Sequence, residues 1–324
     1  MAVYMIRASG FGREYSEKLY MVLFILAMIL FDSYEKNVRQ TKQEKEGNKT
    51  ATTATATTST STSRTSEYWF ILLVGSLWWA ILEGIIAFLG TRDITRGTLF
   101  GHPIPFWVSS LLRGSAEGGS VAVGAIFFSD RMFAPASISW CWAWLGSWHL
   151  IYITLLFFGW WAQYQGQEPE MLVGSTEIAS RRSMFSLLSI IYGGFVISTF
   201  IWYAYHLKRS FPKAFVRQWR AFCIMEFFAA VWSIAQFQYN LRWIEVDNIV
   251  NTDIVIDEDN NSKQQWIRAS PFIEIAAFMY DIVAEIGIFY IPFYAIPWYY
   301  KGLQDEHPLY GSDRGGNKQE SKKQ

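Results

Sequence analysis

The sequence predicts an all-α fold: a polytopic transmembrane helix bundle of six long spans, with a short seventh span at the N-terminus. Three observations predict it. Hydrophobic residues make up 51% of the chain and aromatic residues 18%, against 17% charged. The charged residues are gathered into a few blocks. Between the blocks lie apolar stretches close to or above the roughly 20 residues that a helix needs to cross hydrocarbon.

Residues 1–34 form an N-terminal segment. It holds the apolar run "LYMVLFILAMILF" at 19–31, which is short for a span. No small-residue cleavage site follows it, so it reads as a signal anchor or short first span. Residues 35–66 are polar and end in "TATTATATTSTSTSRTS". That composition cannot bury a core, and the segment is expected to be a disordered Thr-rich linker. The bundle itself is expected over 67–300, with spans at about 68–90, 105–128, 137–161, 183–205, 220–239 and 271–299. No loop shows a strand alternation that competes with this reading. A polar tail, 301–324, closes the chain.

Orientation follows from Lys and Arg in the short loops. The link 206–220 carries Lys208, Arg209, Lys213, Arg217 and Arg220 and no acid, so it should be cytoplasmic. The link 240–270 carries Glu245, Asp247, Asp253, Asp257, Glu258 and Asp259 and should face away. With the first run spanning, the N-terminus lies outside. Asn260 in the acidic link is then the usable glycosylation site, while the sequon at Asn48 is cytoplasmic. The Thr-rich stretch and the sequons suit a eukaryotic endomembrane protein such as one of the endoplasmic reticulum.

Charged groups at membrane depth cost several kcal/mol unless they face protein or water, so each is a functional candidate. The expected spans contain Glu83, Arg113, Glu117, His149, Glu226, Glu274, Asp281 and Glu285. In "PFIEIAAFMYDIVAEIGIFYIP", Glu274, Asp281 and Glu285 fall on one helical face beside Phe278. Three acids on one buried face cannot all ionise without counter-charges, so some should be neutral and able to donate a proton. In "LLRGSAEGGS", Arg113 and Glu117 stand one turn apart. Arg before Glu is the weaker order for a pair within a helix, which leaves Arg113 to serve a carboxylate on another helix. Gly114, Gly118 and Gly119 permit close helix packing or a break. Trp79, Trp142, Phe278 and His149 are the deep groups expected to line the same pocket, with π faces toward a cation. Asp281 and Arg113 are expected to share one cavity.

Several classes are excluded. Net charge is zero, which gives no electrostatic hold on nucleic acid. "DIVIDEDNNSK" opens like a calcium loop, but Ser262 and Arg268 stand where Gly and Glu are required. There is no DDxxD pair for magnesium and no lysine in the long spans for a retinal Schiff base. The four histidines are too scattered for a metal site. Cys141 and Cys223 form no disulfide framework.

The embedded carboxylates of "WWAILEG", "RGSAEGGS" and "FMYDIVAEIG", the seven or so spans and the aromatic richness resemble the membrane-bound terpene cyclases of fungal meroterpenoid pathways. The resemblance covers the architecture of the spans. The Asn-x-x-Trp-Glu motif of one such group is absent, so no catalytic position is carried over. In that class a buried acid protonates an epoxide or alkene of a prenyl chain, the carbocation cyclises, and a base removes a proton. The resemblance implies an apolar prenylated substrate in a lipid bilayer and no cofactor. Helix geometry then makes Asp281 or Glu285 the proton donor, with Arg113, Glu117, Glu83 and Glu226 as supporting groups. The competing expectation is a proton- or ion-coupled transporter, or a seven-helix receptor, using the same carboxylates.

Overall fold

A computed structural model describes residues 3–8, 14–47, 62–89, 92–94, 97–132, 178–184, 187–210, 212–238, 242–247 and 266–282. Strand β1 is Val3–Ala8, and helix α1 follows at Ser16–Gly47. Helix α2 is Thr62–Phe88, and β2 is Arg92–Ile94. A small hairpin pairs β3 (Thr98–Leu99) with β4 (His102–Pro103). Helix α3 (Phe106–Arg113) runs through a π-helical segment, Gly114–Ser120, into α4 (Val121–Met132). Further along are β5 (Ile178–Met184), α5 (Leu187–Ser210), α6 (Pro212–Gln238), β6 (Arg242–Asp247), β7 (Trp266–Arg268) and α7 (Pro271–Tyr280).

The described residues are mostly helical, as expected, but not all helical. Five strands form an antiparallel sheet in the order β2-β5-β1-β6-β7. The expectation of an all-α chain is corrected here. The strands are short and sit in the N-terminal segment or in links, with β5 overlapping the start of one expected span. "RWIEVD" and "VYMIRA" nevertheless carry the β-branched and aromatic residues, at period two, that a strand requires. One sheet face packs Val3, Met5, Met184, Ile244 and Val246 against Ala277 of α7, with Phe237 of α6 beside them.

The sheet organises the helices. Short connections tie it to the C-terminal ends of α2 and α6 and to the N-terminal ends of α5 and α7. Those four ends therefore meet at one pole. The α5–α6 turn, with Lys208, Arg209 and Arg217, lies at the opposite pole.

Other boundaries also shift. The 19–31 run is the front of a 32-residue helix that continues through residues expected to be linker. Lys, Glu, Gln and Arg are strong helix formers and extend a helix already nucleated by an apolar turn. Residues 62–66 likewise belong to α2. The basic link 206–220 is helical over 206–210 and 212–220. Of the span expected from 183, Ser183 and Met184 belong to β5, and the helix is described from Leu187.

Among the described residues, one helix, Glu67–Phe88, meets a length-and-hydropathy criterion for crossing a membrane. Six such spans are not found there. The expected span 137–161, most of the last span and the tail 301–324 lie outside the described residues, as does the calcium-like run beginning at Asp257.

Candidate functional site

Three clusters of charge and one row of lone polar groups occupy the helices. The first answers why arginine and glycine interrupt an apolar stretch. Arg113 is buried and donates to Glu83 Oε2 of α2 at 3.2 Å and to the Tyr15 hydroxyl at 2.6 Å. The guanidinium also stands 5.5 Å from the Tyr15 ring centre. Its carboxylate is thus on another helix, as the Arg-before-Glu order suggests. Glu117 faces Lys18 of α1 at 3.6 Å, and Lys18 also reaches Glu17 at 3.3 Å. The glycines bring the π segment onto α2, backbone to backbone. A Cβ on Gly118 would stand 2.6 Å from the Gly75 carbonyl oxygen. One on Gly119 would meet the Leu72 carbonyl, and one on Gly114 the Ser76 carbonyl. Ser110 of α3 hydrogen-bonds the Ala80 carbonyl at 3.0 Å. Small residues here permit close helix contact.

The second cluster corrects the expected partner of Asp281. It sits at the end of α7 between two arginines of the sheet. Arg182 of β5 donates to Oδ1 at 2.7 Å, and Arg242 of β6 donates to Oδ2 at 2.6 Å. β5 and β6 flank β1 on either side, with Met5 opposite both Arg182 and Ile244. The two arginines therefore converge from one sheet face. Arg113 is bound elsewhere, and the shared Asp281–Arg113 cavity is not the arrangement found. A carboxylate gripped by two guanidiniums is an ionised acceptor with no proton to give. The role of Asp281 as neutral acid is corrected for that reason. Glu274 makes a more exposed pair with Arg268 at 2.9 Å.

The third cluster was missed by sequence reasoning. Arg217 of α6 grips Glu67 of α2 through two contacts of 2.8 and 3.1 Å. It also grips Asp130 of α4 through two contacts of 2.6 and 2.7 Å. The Tyr68 hydroxyl donates to Asp130 at 2.7 Å. One guanidinium thus joins three helices, and bidentate pairing is the geometry for which arginine is suited. In the sequence these residues sit at span ends, where charge reads as solvated. The available signal was that Glu67 and Asp130 flank apolar runs directly.

The row of lone groups lies on α6. Glu226 Oε1, Ser233 Oγ and Gln236 Oε1 are buried and have no hydrogen-bond partner. Ser233 and Gln236 are each 1% exposed. Seven residues separate the first two and three the next, so all lie on one side of the helix. Glu226 was among the expected site residues, and here its Oε1 bonds to none of Asp281, Glu83 and Arg113.

Of the remaining candidates, Trp79 packs against the buried cluster that includes Ile25, Ile126 and Met225. Phe278 meets Phe237 edge-on at 5.8 Å. Trp142, His149, Glu285 and Asn260 lie outside the described residues. Among the described residues no group of His, Cys, Asp and Glu is placed to hold a metal ion.

Outside the helices, Glu14 pins the β3–β4 hairpin. Its carboxylate accepts from Ser16 N at 3.0 Å, Thr98 Oγ1 at 2.9 Å, Phe100 N at 2.9 Å and Gly101 N at 3.2 Å. The tip residues Phe100 and Gly101 have φ of 51° and 78°. Burial opposes ionisation of Glu14, but the Ser16, Thr98 and Gly101 hydrogen bonds together outweigh it and hold its carboxyl below the usual range.

No protein-family model, curated protein or solved structure matches the chain.

Proposed function

We propose that the chain is a multi-pass integral membrane protein that moves protons or small cations along α6. Exposed apolar faces support the membrane part. Ile81 and Phe88 of α2 are 60% and 90% exposed, Leu187 and Phe195 of α5 are 74% and 69%, and Phe272 of α7 is 81%. Apolar patches of that extent need lipid or protein to cover them. The run from Leu187 to Tyr205 in α5 contains no charged residue, so its 24-residue helix suits a second span alongside α2. The basic α5–α6 pole then faces the cytoplasm and the sheet faces away.

The α6 row is the observation that carries the transport reading. From Glu226 to Gln236 the row rises about 15 Å, a large part of a bilayer. Lone oxygens strung along a membrane normal suit a travelling ion. A cyclase instead gathers one acid and several aromatic faces around a single apolar cavity. The other embedded acids with known partners, Glu83, Asp281 and Glu67, are ion-paired, which leaves Glu226 as the working group.

The test is flux into liposomes carrying purified protein, under imposed proton, sodium and potassium gradients in turn. The proposal expects flux of at least one ion, falling to the protein-free level in Glu226→Gln. Protein-free flux for all three ions in wild type overturns it. The prenyl-cyclase reading has one specific support: Trp79 packs on the cluster holding Met225, the neighbour of Glu226. Under that reading, membranes incubated with farnesylated epoxides yield a cyclised product by mass spectrometry.

A further inference from the structure

We infer that the ion taken up at Glu226 is the proton, bound covalently to its carboxylate, and not a metal cation. The inference rests on the transport reading above and names the species it moves. Three observations lead to it.

The first is the geometry of the row. Glu226 and Ser233 are separated by about 10 Å of helix rise. A sodium or potassium ion needs several oxygens converging within one coordination shell, and oxygens so spaced along a helix cannot share one. A proton needs a single oxygen at a time and passes between sites by hydrogen-bonded exchange.

The second is the hydroxyl that helix register brings to the height of Glu226. Ser129 of α4 donates to the Arg217 carbonyl of α6 at 3.4 Å, which sets the register of these helices. They run antiparallel and share a buried cluster through Ala122, Ala125, Ala221 and Met225. Nine residues onward in α6 is Glu226, and nine back toward the π segment is Ser120. Ser120 is 1% exposed, and its hydroxyl has no hydrogen-bond partner. Neither oxygen is hydrogen-bonded, to the other or to any other group, so only single, separate oxygens are on offer at this level. They supply too few donors to cage a metal cation.

The third is charge. The titratable neighbour of Glu226 on its own helix is Cys223, one turn earlier. Arg217 of α6 is held by Glu67 of α2 and Asp130 of α4, far down the helix. On α5, Tyr203 bonds Gln218 of α6. That register puts Phe195 at the height of Glu226 and leaves His206, Lys208 and Arg209 at the basic pole. On α1, Lys18 is held by Glu17 and Glu117, and Glu83 of α2 is held by Arg113, so no cation among these groups neutralises Glu226. An unpaired carboxylate in hydrocarbon costs several kcal/mol, so the acid form fits the site. The step is balanced: a hydronium ion gives its proton to Glu226 Oε1 and leaves as water, and the reverse returns it.

The experiment is labelling of the purified full chain with dicyclohexylcarbodiimide, which adds to protonated carboxyls in apolar surroundings. The adduct is located by peptide mass spectrometry. The expected result is an N-acylurea on Glu226 near neutral pH, lost in Glu226→Gln, diminished at alkaline pH and unchanged by excess sodium or potassium chloride. Protection by either salt overturns the inference in favour of a metal cation, even if flux is measured. Absence of the adduct while other carboxyls of the same sample react also overturns it. An adduct in protein that shows no flux supports the protonated site and removes the transport reading, so the two failures are distinct.

Discussion

Asp281 and Glu226 are both acids in apolar helices, and in the sequence Asp281 looks the more chemical of the two. It has two acids at helical spacing, while Glu226 stands alone. The structure reverses their standing. Asp281 lies between Arg182 and Arg242 at 2.7 and 2.6 Å, whereas one oxygen of Glu226 has no partner. Same-helix spacing reports which residues share a face. It does not report what a distant strand brings to that face. Partners from elsewhere in the chain turn Asp281 into a brace between α7 and the sheet, and their absence leaves Glu226 available for chemistry.

The largest effect should come from the brace with most partners. Arg217→Ala takes the guanidinium from Glu67 and Asp130 together, leaving Asp130 the Tyr68 hydroxyl, and unties three helices. Breaking a buried ion pair from one side costs about 3–5 kcal/mol, and this change should reach the top of that range. Denaturant unfolding in detergent measures it. The charge reversal Arg217→Glu combined with Glu67→Arg restores only one of the two pairs and should recover part of the loss.

Asp281→Asn comes next. Asn can still accept a hydrogen bond from one arginine but withdraws the carboxylate charge from both guanidiniums. Stability should fall by about 3 kcal/mol, and expression should fall with it. A proton donor at this position would instead lose activity at unchanged stability, so measuring both separates brace from acid.

Gly119→Ala tests the close contact that the glycines permit. The new Cβ meets the Leu72 carbonyl, and overpacking of this kind costs roughly 1–3 kcal/mol. Gly84→Ala on the facing helix meets nothing within 4 Å and should be neutral or slightly stabilising in the same unfolding assay.

The smallest effect concerns Glu14. Its carboxyl is held below the ordinary value of 4.5. Its contribution is therefore present above that value and lost as pH falls through the depressed folded value. Glu14→Gln should speed amide exchange at Phe100 and Gly101 at neutral pH. Wild type should match it only in strong acid.

What was legible in the sequence follows these same lines. Helix content, the apolar runs and the inward placement of Arg113 could be read, because each is a local pattern of hydropathy or spacing. The sheet could not be read from hydropathy, since its strands are short and scattered before and between the helices. The period-two pattern in "RWIEVD" was the overlooked signal. Long-range pairing was illegible: Arg217 meets Asp130 and Arg182 meets Asp281, and nothing in either local stretch names the other. Glu226 was visible as a candidate, but its lack of a partner is a property of the packed bundle.

The division between braces and the lone acid is tested most directly by unfolding Glu226→Gln beside Asp281→Asn in one detergent. Gln keeps the shape of a neutral Glu and removes no ion pair. Glu226→Gln should unfold within about 0.5 kcal/mol of wild type while Asp281→Asn unfolds far earlier. Equal destabilisation of the two variants, or a stable Asp281→Asn beside an unstable Glu226→Gln, would contradict the account.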